Sequence, residues 1–178
     1  MNKWPIAGLI AGIAVFLWGG IFHMALPIET MVTKTLPDDA AVTAVLKARV
    51  PEAGFYFFPN EMDPAKLEER AKTTPRGIMI YTPAGVPFSM SSSLGVQFVL
   101  DIMAALILAW LLSMAMPGPG NTGRKVCFAA TIGLVVVVAV VLPWWNWYGM
   151  PLGMVAANLV EQLVGFATAG FVLAKLVK

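Results

Sequence analysis

Two carboxylic acids, Asp101 and Glu161, stand inside long apolar stretches of this sequence, and its one histidine, His23, closes another. A charged group at the centre of a membrane helix costs about 2.5–3.5 kcal/mol on insertion scales, so such groups turn toward a bundle interior or a cavity. Their polar neighbours are spaced to join them. Gln97 and Asp101 are four apart and share one side of a helix, while Asn158, Glu161, Gln162 and Gly165 follow the three/four pattern on another. At about 1.5 Å rise per residue, Glu161 lies about 15 Å from the outer end of its stretch, Asp101 about 10 Å and His23 about 6 Å. His23, Gln97, Asp101, Asn158, Glu161 and Gln162 are therefore expected to converge in the outer half of one helix bundle. Two chemistries are open to such a set. One is an interhelical hydrogen-bond network with one or both acids protonated, each bond worth about 0.6 kcal/mol on average in membranes. The other is a pocket for a proton, a cation, a quinone-like headgroup or a lipid.

Other chemistries find too few residues. With one cysteine, Cys127, the chain can form no internal disulfide and no relay of thiols, and no Cys/His cluster has zinc spacing. A single histidine cannot supply both axial ligands of a b-type haem. Thioether ligands suit Cu(I), but His23, Met24, Met150 and Met154 form no tight repeating motif. His23 is the obvious general base at neutral pH, yet no nucleophile or metal partner accompanies it. No P-loop, GxSxG, HExxH or dinucleotide fingerprint is present, and Asn121-Thr122-Gly123-Arg124-Lys125 lacks the glycine spacing of a phosphate loop. A non-enzymatic protein without metal or cofactor is expected. The net charge of +2, with no basic stripe carrying aromatics, argues against nucleic acid as a partner.

The elements that must position these residues are membrane spans. Of 178 residues, 58% are hydrophobic and 12% charged, against about 25% charged in a soluble domain. Trp4 to Leu26, Leu94 to Met116, Val126 to Leu142 and Pro151 to Ala174 are each long and apolar enough to cross a bilayer core of about 30 Å. The first follows the basic Met1-Asn2-Lys3 but lacks a small-x-small cleavage site, and reads as an uncleaved anchor. Ser91-Ser92-Ser93 suits a cap for the second, Pro117-Gly118-Pro119-Gly120 breaks after it, Pro143 ends the third, and Pro151 opens the fourth. The expected fold is an all-α integral membrane four-helix bundle with a small α+β insertion between helices 1 and 2. It divides as 1–26 (helix 1), 27–93 (extracytoplasmic segment), 94–116 (helix 2), 117–125 (cytoplasmic loop), 126–142 (helix 3), 143–150 (outer aromatic turn) and 151–178 (helix 4 and C-terminus).

Lys3, Arg124, Lys125, Lys175 and Lys178 fall on one side of this arrangement, and the short loop Trp144–Met150 on the other has no basic residue. The positive-inside rule puts both termini in the cytoplasm, with Trp144, Trp145, Trp147 and Tyr148 as an outer aromatic belt. The absence of an N-x-S/T sequon fits a bacterial inner membrane. Within 27–93, Asp38 or Asp39 caps a helix to about Arg49, Gly54–Phe58 is a strand, Asp63 caps a second helix with Pro64 at its first position, and Gly77–Tyr81 is a second strand. Both strands are apolar on both faces, with Phe55 and Phe57 on one, a pattern of sheets covered on two sides. Gly8, Gly12, Val15, Gly19 and His23 form a small-residue face on helix 1 that lets another helix approach.

Membrane lipids are the expected surroundings, with a membrane-protein partner or a second copy docking on Gly8, Gly12, Gly19, Phe55, Phe57, Trp144, Trp145 and Trp147. Two functions compete. The first is an accessory or assembly subunit of a larger membrane complex. The second is a small carrier or ligand-binding protein that uses Asp101 and Glu161, for which both carboxyls must reach one cavity. No internal repeat supports an inverted-repeat transporter.

Overall fold

The computed structural model describes residues 4–118 and 120–176, so Lys3, Pro119 and Lys178 lie outside the described residues. The chain is mostly helical, with four helices long and apolar enough to span a membrane and one two-stranded sheet. It divides into two units, one of residues 1–33, 89–146 and 150–178, the other of 34–88 and 147–149.

The helical unit begins with α1 (Trp4–Gly20), which continues through a wider π-helical turn at Ile21–Ala25. A short helix α2 (Ile28–Val32) follows. The spans α5 (Met90–Ala115), α6 (Thr122–Val136, continued by a π-helical turn at Val137–Val141 and by α7, Leu142–Tyr148) and α8 (Leu152–Leu176) complete the chain, α3 and α4 lying in the other unit. α5 packs on α1, α1 on α8 and α6 on α8, whereas α5 and α6 make no comparable packing. Small residues allow these crossings. Buried positions include Ala7, Gly8, Ala11 and Gly12 on α1, Ala105, Leu108, Ala109 and Leu112 on α5, Ala129 and Gly133 on α6, and Gly165, Ala169, Gly170 and Leu173 on α8. Without a hydrophobic drive between helices in lipid, close backbone approach and van der Waals packing must hold a bundle together. No span buries more than 28% of its most apolar window, so most of each helix surface is left for lipid or another molecule.

Two boundaries differ from those expected, each for a local reason. Ser89, not Ser91–Ser93, caps α5 through a bond from the Ser92 amide, adding a turn at its start. The third span starts at Thr122, where the Asn121 side chain accepts from the Gly123 amide at 2.8 Å. It then passes through Pro143 instead of stopping there. A proline lacks an amide hydrogen and crowds the carbonyl four residues back; the π-helical turn immediately before it widens the backbone by one residue and relieves both conflicts. The Trp144–Tyr148 stretch is therefore helical, not a turn, and Gly149 (φ +72°) ends it.

In the second unit α3 (Asp39–Arg49), β1 (Gly54–Phe58), α4 (Pro64–Arg70) and β2 (Gly77–Tyr81) follow one another in the order read from the sequence. Asp38 and Asp63 cap the two helices, the latter with Pro64 at the first helical position. The strands are antiparallel, Gly54 opposite Tyr81 and Phe58 opposite Gly77. Paired residues share a face, so Phe55, Phe57, Ile78 and Ile80 line one side. Neither helix has a buried residue.

Candidate functional site

α1, α5 and α8, with Val136 at the end of α6, enclose a cavity of about 680 Å³. Its wall is mostly apolar, with Phe16, Leu94, Leu100, Leu108 and Phe166 contributing the larger side chains. Five of the six polar residues expected to converge line it: His23, Gln97, Asp101, Glu161 and Gln162. Asn158 does not; its side-chain amide donates to the Met154 carbonyl of its own helix at 2.8 Å.

His23 sits in the π-helical turn of α1, and its Nε2 lies 3.0 Å from Glu161 Oε1. The buried Phe22 ring meets the imidazole edge to face at 5.2 Å. Trp18, one turn back on α1, donates its indole N–H to the Glu161 backbone carbonyl at 3.1 Å. Gly165 makes that bond possible: a Cβ there would meet Trp18 Cδ1 at 3.3 Å. Two side chains of α1 thus hold one residue of α8, Trp18 by its backbone and His23 by its carboxylate. Depths counted from helix ends would separate His23 and Glu161 by about 9 Å. They meet because α8 reaches beyond the end of α1, and α2 fills the difference, with Val32 Cγ1 3.2 Å from where a Cβ on Gly153 would lie.

Asp101 lies deeper. Gly12 faces Ile102, Gly8 faces Leu106 and Phe16 stacks edge-on to Phe98 at 5.3 Å, a register that puts Asp101 opposite the residue after Gly12. That is about ten residues, or roughly 15 Å, along α1 from His23. Asp101 is therefore deeper than Glu161, opposite to the order read from the sequence, partly because α5 begins at Met90 and so carries Asp101 a turn further in. Asp101 Oδ1 accepts from Gln97 Nε2 at 2.9 Å. The cavity thus has two polar stations at different depths, an imidazole–carboxyl pair and a carboxamide–carboxyl pair, with apolar wall between them. Among the described residues no lysine or arginine lines it, and no protein group bonds Asp101 Oδ2 or the Gln162 carboxamide.

The small-residue face of α1 splits between two tasks. Gly8 and Gly12 seat α5 of the same chain, a Cβ on Gly12 falling 2.6 Å from the Ile102 Cα, while Val15, Gly19 and His23 line the cavity. A Cβ on Gly19 would meet nothing within 4 Å. In the second unit, Phe55 and Phe57 carry the Tyr148 ring at 6.4 and 5.9 Å. Trp145 and Trp147 are exposed on α7, and Trp144 shares that helix. Lys125, buried at the start of α6, reaches the Gly118 carbonyl at 3.1 Å and ties down the loop after α5. Gly165 shares the three/four pattern of Glu161 and Gln162 in the sequence, whereas Trp18 carries no mark there beyond its place on the same helix as His23. Among the described residues no group of three or more His, Cys, Asp or Glu side chains is placed to hold a metal ion. Comparison with protein-family models, curated proteins and solved structures finds no match to this chain.

Proposed function

We propose that the chain is a non-enzymatic multi-pass membrane protein that binds an amphiphilic small molecule, its apolar body along the cavity wall and its hydrogen-bonding head at one of the two carboxyls. The observation that carries this is the shared cavity: Asp101 and Glu161, on separate helices, both face one space. Its volume, about 680 Å³, falls in the range of about 300–1,000 Å³ typical of small-molecule sites, which also combine apolar walls with a few placed polar groups. The chain resides in a bacterial inner membrane in this proposal, with both termini cytoplasmic, as supported by the basic residues Arg124, Lys125 and Lys175 on one side of the spans.

The test fills the cavity without touching a helix contact. In lipid nanodiscs the neutral amphiphile 4-phenylbutanol is titrated calorimetrically into the wild type and into Gly19→Leu. Binding is expected in the first and at least a tenfold loss in the second, with thermal stability preserved because the new side chain enters open space. Equal binding by both proteins would end the proposal.

A second reading, an accessory or assembly subunit, is favoured by a different observation: on the sheet Phe55 is 44%, Phe57 54% and Ile80 75% exposed. Mild-detergent purification from the native membrane is expected, on that reading, to retain a stoichiometric partner that Ile80→Lys releases. A chain that purifies alone would remove it.

A further inference from the structure

Two carboxyls line the cavity and, among the described residues, no lysine or arginine does, and we infer that its ligand is a lipophilic amine, whose protonated nitrogen sits at Asp101. This rests on the cavity being a binding site and names the class of molecule that it takes. A carboxylate oxygen can only accept. Asp101 gives one oxygen to Gln97, and its other has no partner among the described residues. Glu161 has one oxygen on His23 and its backbone carbonyl on Trp18. The unmet requirement at the deeper station is therefore for a donor.

Charge points the same way. Two carboxyls and one imidazole line the space, with no lysine or arginine among the described residues. A carboxylate or phosphate head would face two carboxyls with no lysine or arginine beside it among the described residues, and its desolvation would be poorly compensated. An ammonium head gains at each point: it supplies a donor to Asp101 Oδ2, it favours the ionised form of the carboxyl beside it, and the aromatic side chains Phe16, Trp18 and Phe166 line the same cavity. The apolar wall between the stations suits a hydrocarbon or aromatic body. At the other station Glu161 already has an imidazole partner, so Asp101 is the better counter-charge.

The experiment varies the head on a constant body. 4-Phenylbutylammonium, 4-phenylbutanol and 4-phenylbutanoate are titrated calorimetrically into the full chain in uncharged nanodiscs, with empty nanodiscs subtracted, for the wild type and for Asp101→Asn. The asparagine keeps the shape and the acceptor for Gln97. The amine is expected to bind at least tenfold more tightly than the alcohol, with the carboxylate weakest, and Asp101→Asn is expected to abolish the amine's advantage over the alcohol. If the alcohol binds and the amine binds no better, or if the advantage survives in Asp101→Asn, the amine assignment is overturned and the cavity remains a binding site. If none of the three binds, both proposals fail together.

Discussion

At the scale of single residues, the contact that organises the site is the 3.0 Å pair of His23 and Glu161. Its side chains are 45% and 25% exposed, so the cavity screens it, and its strength is that of an ordinary interhelical bond in a membrane, about 0.6 kcal/mol on average and about 1.7 at most. A double-mutant cycle on His23→Ala and Glu161→Gln, read by unfolding in mixed micelles, is expected to return a coupling in that range. A coupling indistinguishable from zero would mean that the two side chains do not hold the helices together. The spacing of polar residues in apolar runs made five members of the set legible, because an expensive group in a membrane helix must face inward. Asn158 obeyed the same spacing but met its own needs by bonding back to Met154, an option open to any short amide side chain on a helix. Trp18 gave no signal because an indole in an apolar run is equally at home against lipid; here it packs over Gly165 and donates to the Glu161 carbonyl.

At the scale of elements, glycines that look alike in the sequence differ by what faces them. Gly12 lies against the backbone of α5, whereas Gly19 faces open cavity. Gly12→Ala puts a methyl 2.6 Å from the Ile102 Cα, a backbone atom that can yield only by moving the helix, so a loss of about 1–3 kcal/mol is expected, the range of overpacked cores. Gly19→Ala is expected to change stability by less than about 0.5 kcal/mol, as is usual away from packed contacts. Chemical denaturation of the two variants side by side separates them, and similar losses would mean that α1 does not cross α5 at Gly12. The four long helices, the two strands and the two capped helices of the second unit were legible, since long uncharged apolar runs admit few alternatives and the caps at Asp38 and Asp63 announce their helices, whereas the short α2 and α7 were not. The ends were not. Pro143 reads as a stop because proline breaks an α-helix, but a preceding π-helical turn, for which the valine run Val135–Val138 gives no sign, carries the helix through it.

At the scale of the whole chain, the two units place opposite demands on their surroundings. The helical unit leaves most of its apolar surface open, a condition stable in hydrocarbon and not in water, whereas residues 34–88 carry the balanced charges of a soluble segment, with lysines, arginines and acids along α3 and α4. On the proposed membrane placement, lipid surrounds the first unit and water the second. The proposed orientation rests on the basic residues: Arg124 and Lys125 lie in the first turn of α6, beside the short connection from α5, where such charges are costly to translocate, whereas a long segment such as 34–88 crosses largely regardless of its own. Single cysteines at Arg124 and Asp63, each in a Cys127→Ala background, are expected to react with an impermeant maleimide from opposite sides of the membrane: Asp63→Cys in intact spheroplasts, Arg124→Cys only after the membrane is opened. Labelling of both from one side would put an odd number of crossings between them out of reach, and with it the assignment of α5 as a span and the burial of Asp101 within it.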